Sequence, residues 1–156
     1  MTDLSDLLDP QSVLADVSAG TKRALFTTLG ATASTVWGLD AATVATGLAA
    51  REKLGTTGFG GGIAVPHARI DGLTSARGVF AQLARPIDFA AVDDLPVDLV
   101  FMLLSPPDAG AEHLKSLARV SRRLRDRGLA EKLRGAGSPD AIYALLTAVE
   151  ARDAAA

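Results

Sequence analysis

The spacing of apolar positions changes several times along the chain, and each change marks an element boundary. Residues 12–17 read as a short edge strand before a turn at Ala19-Gly20. Beyond it, Leu25, Leu29, Thr32 and Val36 recur at helical spacing, with Thr21 placed as the cap, Trp37 as the end and Gly38 as the stop. Asp40 caps a second helix running to about Lys53, with Val44, Leu48 and Ala49 facing inward and Gly55 just past its end. Further on, the pattern becomes that of strands. Residues 78–83 and 97–104 are β-like, joined by residues 85–95, where Pro86 and Asp93-Asp94 mark turns. Positions 99–104 show no polar alternation, which predicts a central strand covered on both faces. Ser105-Pro106-Pro107-Asp108 stops that strand. Helical spacing then returns over residues 111–126, 129–134 and 139–152, the last with Ser138 as cap and Pro139 at its first position. Strands in the middle with helices before and after predict an α/β sandwich.

Composition narrows this picture. A chain of 156 residues, 48% apolar, is enough for one domain with a substantial core. A formal charge of -2 and a pI near 5.6 argue against a general nucleic-acid binder, which would rely on clustered Lys and Arg. The absence of cysteine excludes disulfides, thiolate metal sites and cysteine catalysis. The acidic start M-T-D-L-S-D-L-L-D-P lacks the basic and apolar regions of a secretory signal, and the apolar run 99–104 is too short to span a bilayer. A cytoplasmic protein without membrane insertion is expected, with residues 1–10 and 153–156 frayed.

Between the second helix and the first β-like segment lies T-G-F-G-G-G-I-A-V-P-H-A, residues 57–68. Ile63-Ala64 follow the last glycine where a Walker loop needs Lys and Ser or Thr, and Pro66 prevents a dinucleotide-type helix from starting there. No G-x-S-x-G is present, and two distant histidines, His67 and His113, give no metal-ligand spacing. What remains is His67 as a nucleophile toward phosphorus, since neutral imidazole is basic yet largely deprotonated near neutral pH. The backbone amides of Thr57, Gly58, Gly60, Gly61, Gly62 and Ile63 are the expected phosphate-binding loop. Arg51, in A-A-R-E-K-L-G, is either a phosphate-binding guanidinium or, with Lys53, a complement to the helix C-terminus. His113 lies in the first turn of the helix after the central strand and reads either as a second site histidine or as a surface residue beside Glu112. Arg119, Arg122, Arg123, Arg125 and Arg127 are expected on a solvated outer face, with Leu117, Val120 and Leu124 facing in. Phe59 and Ile70 are candidate contacts for a docked partner, or else ordinary packing beneath the loop.

The string T-G-F-G-G-G-I-A-V-P-H-A, with R-E-K-L-G-T upstream and R-P-I-D-F, D-D-L-P-V-D-L-V-F-M-L-L and E-H-L-x-x-L-A downstream, closely resembles the fructose/mannitol/nitrogen-type enzyme IIA proteins of the bacterial phosphotransferase system. It is most similar to their nitrogen-regulatory branch. The resemblance implies a three-layer α/β/α sandwich whose mixed parallel and antiparallel sheet is flanked by helices. It also implies a phosphoryl acceptor at His67, a transition-state-stabilising histidine at His113 and a phosphate-stabilising Arg51, with no metal and no cofactor. The partners implied are a histidine-containing phosphocarrier protein upstream and regulated proteins such as a potassium transporter or a sensor kinase. A transport enzyme IIA passing phosphate to a separate enzyme IIB, and a non-catalytic binding module of the same fold, are the alternative readings. The chain departs from the family at Gly61, where relatives commonly carry Asn.

Overall fold

A computed structural model describes residues 4–148. One six-stranded sheet, β1 (Val13–Val17), β2 (Gly58–Gly60), β3 (Ile63–Ala64), β4 (His67–Arg69), β5 (Arg77–Ile87) and β6 (Val97–Ser105), runs in the order β1-β5-β6-β3-β2, with β4 also paired to β6. β5 is antiparallel to β6, while β1, β3 and β4 pair in parallel with their neighbours β5 and β6. Helices α1 (Lys22–Trp37) and α2 (Ala41–Lys53) cover one face. α3 (Ala111–Leu124), α4 (Arg127–Gly135) and α5 (Pro139–Thr147) cover the other.

Alternation along the buried strands builds the two cores. Val100, Met102 and Leu104 of β6 point toward α1 and α2, whereas Leu99, Phe101 and Leu103 join Val120, Leu124, Leu133, Ile142 and Leu146 on the far side. β6 is therefore the central strand its unbroken apolar run predicts. Capping is local and follows the sequence: Thr21, Asp40 and Ser138 each accept a backbone N–H of their helix's first turn, and Gly38 closes α1 at φ 71°.

Several expectations change in three dimensions. β5 continues through Pro86 to Ile87, because a register shift between Gln82 and Ile87 spares Pro86 from having to donate to the ladder. On α1 the buried residues are Leu25, Phe26, Leu29, Gly30 and Ala33, so Thr32 and Val36 lie at the margin of its inward face. Ala49 is exposed, since α2 buries only Val44 and Leu48. Arg123 turns inward, and its Nη2 donates to the carbonyls of Leu145 and Ala148 at the end of α5. Residues 4–10 are not frayed. Leu4, Leu7 and Leu8 are buried in the second core, the Leu4 N–H donates to Leu146 O, and Leu7 O accepts from Gly78. Residues 1–3 and 149–156, including the expected frayed end 153–156 and the last turn of the expected 139–152 helix, lie outside the described residues.

Candidate functional site

The parallel pairing of β4 with β6 sets His67 opposite Leu103, and Pro66 contributes its carbonyl to the Leu103 N–H at 2.9 Å. Helix α2 ends beside this strand, and Arg51 in its last turn reaches across to the imidazole. The Arg51 Nε–H donates to His67 Nε2 at 3.1 Å, and its Nη1 donates to Gly55 O at 2.9 Å. On the other side of the ring, His67 Nδ1 is 2.9 Å from Val65 O. These contacts determine the tautomer. A carbonyl only accepts and a guanidinium only donates, so Nδ1 carries the proton and Nε2 presents its lone pair. Burial holds the His67 pKa below the ordinary imidazole value. Arg51 and Arg69 push the same way, against the opposing influence of Val65 O and Glu52.

His113 arrives from α3, on the other face of the sheet, and its ring centroid lies 5.4 Å from that of His67. The two planes are inclined by 51°. His113 is buried, and its Nδ1 is 2.6 Å from the hydroxyl of fully buried Ser105 at the end of β6. Burial, with the Arg69 charge and any proton taken up by His67 adding to it, brings its pKa down to about 4. Both imidazoles are therefore neutral at pH 7.

That depression links pH to stability. An unfolded His113 regains its ordinary value near 6.5 and binds a proton that the native state refuses, so its contribution is complete above about pH 6.5 and declines as pH falls toward 4. The loss should reach on the order of 2 kcal/mol, after discounting for solvent access to the site. Denaturant midpoints measured from pH 7.5 to 4.5 should fall with acid. In His113→Gln that fall should be visibly shallower, and equal slopes would show that His113 does not titrate in this way.

The glycine-rich loop folds as a hairpin. Residues 58–64 form the tight hairpin β2–β3, in which Ile63 pairs with Leu99 of β6 while His67 pairs with Leu103. Four residues of extended chain, about 13 Å, separate the turn from the imidazole. The turn's groups are also engaged: Gly61 N–H donates to the Asp93 carboxylate at 2.9 Å, and Gly61 O accepts from Arg134, which also forks onto Asp98. Gly60, Gly61, Gly62 and Ile63 thus stand in a hairpin turn tied down by Asp93, Asp98 and Arg134. Gly61 has φ +69° with open space where a Cβ would stand, a conformation that Asn also tolerates, so glycine there changes little. Gly62, at φ +81°, would place a Cβ 2.5 Å from Arg134 Nη2 and 2.9 Å from Asp98 Oδ1, so a side chain there strains the backbone and displaces the Arg134–Asp98 pair.

Thr57 and Gly58 are likewise committed. Gly58 N–H donates to Thr56 Oγ1, while the Thr57 N–H and hydroxyl both donate to Glu52. Glu52 is a residue that reading the sequence missed. Its buried carboxylate also takes Lys22 Nζ at 2.9 Å, tying the end of α2, and with it Arg51, to α1 and to Thr57 just before β2. In R-E-K-L-G it has the look of a solvated helix end, and nothing local marks it as buried. Arg69 was missed too, although strand alternation places it on the same face as His67, two positions on. Among the described residues it has no carboxylate partner.

Of the expected docking residues, Ile70 is core, 4% exposed. Phe59 packs at the hairpin with the Arg125 guanidinium 4.8 Å over its ring. The exposed apolar residues near the site are instead Leu54, following Arg51 and Glu52 at the end of α2, and Leu114, next to His113, at 84% and 65% exposure. Among the described residues no helix is long and apolar enough to cross a membrane. A half-buried imidazole with a bare nitrogen, one guanidinium on that nitrogen and a second neutral imidazole alongside can accept an electrophile that carries negative charge.

Comparison with known proteins identifies the family. Residues 6–149 match the family described as "Phosphoenolpyruvate-dependent sugar phosphotransferase system, EIIA 2". A "Nitrogen regulatory protein" of Bradyrhizobium diazoefficiens is 45% identical over 143 residues, 92% of this chain and 94% of that protein. The crystal structure of nitrogen regulatory protein IIA-Ntr from Neisseria meningitidis superposes with a TM-score of 0.85 at 36% identity, covering 91% of this chain and 97% of that one. IIA mannitol from Escherichia coli, at 23% identity, shares the fold with a TM-score of 0.75 over 88% of this chain and 97% of that one. The chain therefore belongs to the EIIA 2 family of the phosphotransferase system, a family of phosphoryl-transfer components that work between upstream phosphocarriers and downstream partners.

Proposed function

We propose that this protein is a histidine phosphocarrier of the nitrogen type. It accepts a phosphoryl group from a histidine-containing carrier protein onto His67 and regulates partners according to its phosphorylation state. The observation that supports this most directly is the Val65–His67–Arg51 chain of hydrogen bonds, which leaves Nε2 as the bare nitrogen and places a cation on it. As the phosphoryl group arrives, a bond forms between Nε2 and phosphorus while the carrier's own N–P bond breaks. The Nδ1 proton stays on His67, and Val65 O stabilises the positive charge that the ring gains. The Arg51 N–H that shielded Nε2 moves onto a phosphoryl oxygen, joined by a donor from His113. Neutral His67 needs no prior deprotonation, which suits the site to work near pH 7.

Phosphorylation adds roughly -1.5 to -2 charges beside the exposed side chains of Leu54 and Leu114. Such a change is enough to alter which partner surface docks there, and a potassium transporter or a sensor kinase, met from the cytoplasm, is the kind of target this reading implies. The test is intact-mass analysis after incubation with phosphoenolpyruvate, enzyme I and carrier. One acid-labile phosphoryl group per chain is expected, and no mass gain would refute the reading. Loss of the label to an enzyme IIB would move the protein from regulation to transport.

A further inference from the structure

Ser105 closes β6, has no solvent exposure, and carries a hydroxyl whose one hydrogen-bond partner among the described residues is His113 Nδ1, at 2.6 Å. A buried hydroxyl proton needs an acceptor. The serine's own carbonyl is taken by the Ile70 N–H, and among the described residues no other acceptor bonds the Oγ, so the proton is satisfied by a bare Nδ1. If Nδ1 were protonated instead, its N–H would point at Oγ and leave the hydroxyl proton without an acceptor.

We propose that Ser105 is a positioning residue that fixes His113 as the Nε2–H tautomer, so that this ring offers a hydrogen-bond donor to the space it shares with His67. The site then holds its two histidines in opposite tautomers: Nδ1–H at His67, enforced by Val65 O, and Nε2–H at His113, enforced by the Ser105 hydroxyl. The pairing divides the chemistry. One ring presents a lone pair to phosphorus, and the other presents an N–H to the charge developing on the phosphoryl oxygens. In the reverse tautomer, His113 would face the same oxygens with a lone pair and repel them. Two features of the fold hold Ser105 in place: the parallel ladder that sets Arg69 opposite it, and the turn after β6 that carries the chain into α3.

Ring-nitrogen 15N shifts of the full chain at pH 7 test this directly, since the protein has only two histidines. The expected spectrum shows Nδ1 bare and Nε2 protonated in His113, with the reverse in His67. In Ser105→Ala, His113 should lose its single tautomer and phosphoryl uptake from the carrier should slow about tenfold with the final stoichiometry unchanged. Ser105→Thr, which keeps the hydroxyl, should restore both. A wild-type His113 with protonated Nδ1, or an unaltered His113 tautomer in folded Ser105→Ala, would overturn the proposal. The kinetic arm rests on the phosphocarrier reading, whereas the tautomer arm does not. A wild type that takes up no phosphate would defeat that reading while the spectra still judge Ser105, and if neither variant folds the wild-type spectrum decides alone.

Discussion

His67→Gln is expected to take up no phosphoryl group at all while keeping its fold. Glutamine preserves much of the side chain's reach and polarity, so the half-buried position is refilled and a partner for Arg51 Nε remains. The stability cost should be within about 1 kcal/mol, the net worth of an ordinary hydrogen bond. The chemical loss is total because an amide nitrogen has no available lone pair with which to attack phosphorus. Intact mass after incubation with the phosphoenolpyruvate, enzyme I and carrier system should stay at the unmodified value, and a thermal melt should confirm the fold. An undiminished mass gain would place the acceptor elsewhere, with His113 the obvious rival. For that reason His113→Ala belongs in the same experiment: it should slow uptake yet still reach one phosphoryl group per chain.

Replacing Arg51 should produce the next largest effect, about a hundredfold slower uptake in Arg51→Ala with capacity intact, since one charged donor to a developing phosphoryl charge is worth roughly that much. Arg51→Lys separates the two roles this residue could have. If Arg51 only complements the C-terminus of α2, lysine would serve equally well. The structure argues otherwise. Arg51 uses Nε on His67 and Nη1 on Gly55 O, which among the described residues leaves Nη2 without a partner and open to an incoming oxygen, and a single ammonium cannot occupy all three positions. Arg51→Lys should recover only a small part of the rate, and wild-type kinetics in that variant would return Arg51 to the helix-end role. Single-turnover rates with phosphorylated carrier are the measurement of choice, because they report transfer rather than the supply of carrier.

Reading the residues recovered what is short-range. The caps at Thr21, Asp40 and Ser138 lie within three residues of the N–H they accept, so their identity alone predicts where the helices begin. The unbroken apolar run of β6 likewise announced burial on both faces. The glycine loop shows the limit. Its composition suits an anion cradle and a β-hairpin equally, and the choice was made by Asp93, Asp98 and Arg134, each more than thirty residues from the turn. Arg123 and Glu52 failed for the same reason: a charged residue in a helical pattern reads as solvated unless one knows which carbonyls or donors are brought to it.

The amino-acid sequence by itself determined that His67 stands after a proline next to a glycine-rich segment, that α/β layering follows from the order of its periodicities, and, through family resemblance, that Arg51 and His113 are its companions. Only the tertiary structure decided how the three meet. His67 is held by β4 on the edge of β6, Arg51 comes from the end of α2 on one face, and His113 comes from α3 on the other. The Arg51–His67 contact, the Lys22–Glu52 anchor and the Ser105–His113 contact depend on hydrogen bonds closed between separate elements. No local pattern encodes them, because each is formed only when packing expels water from both partners.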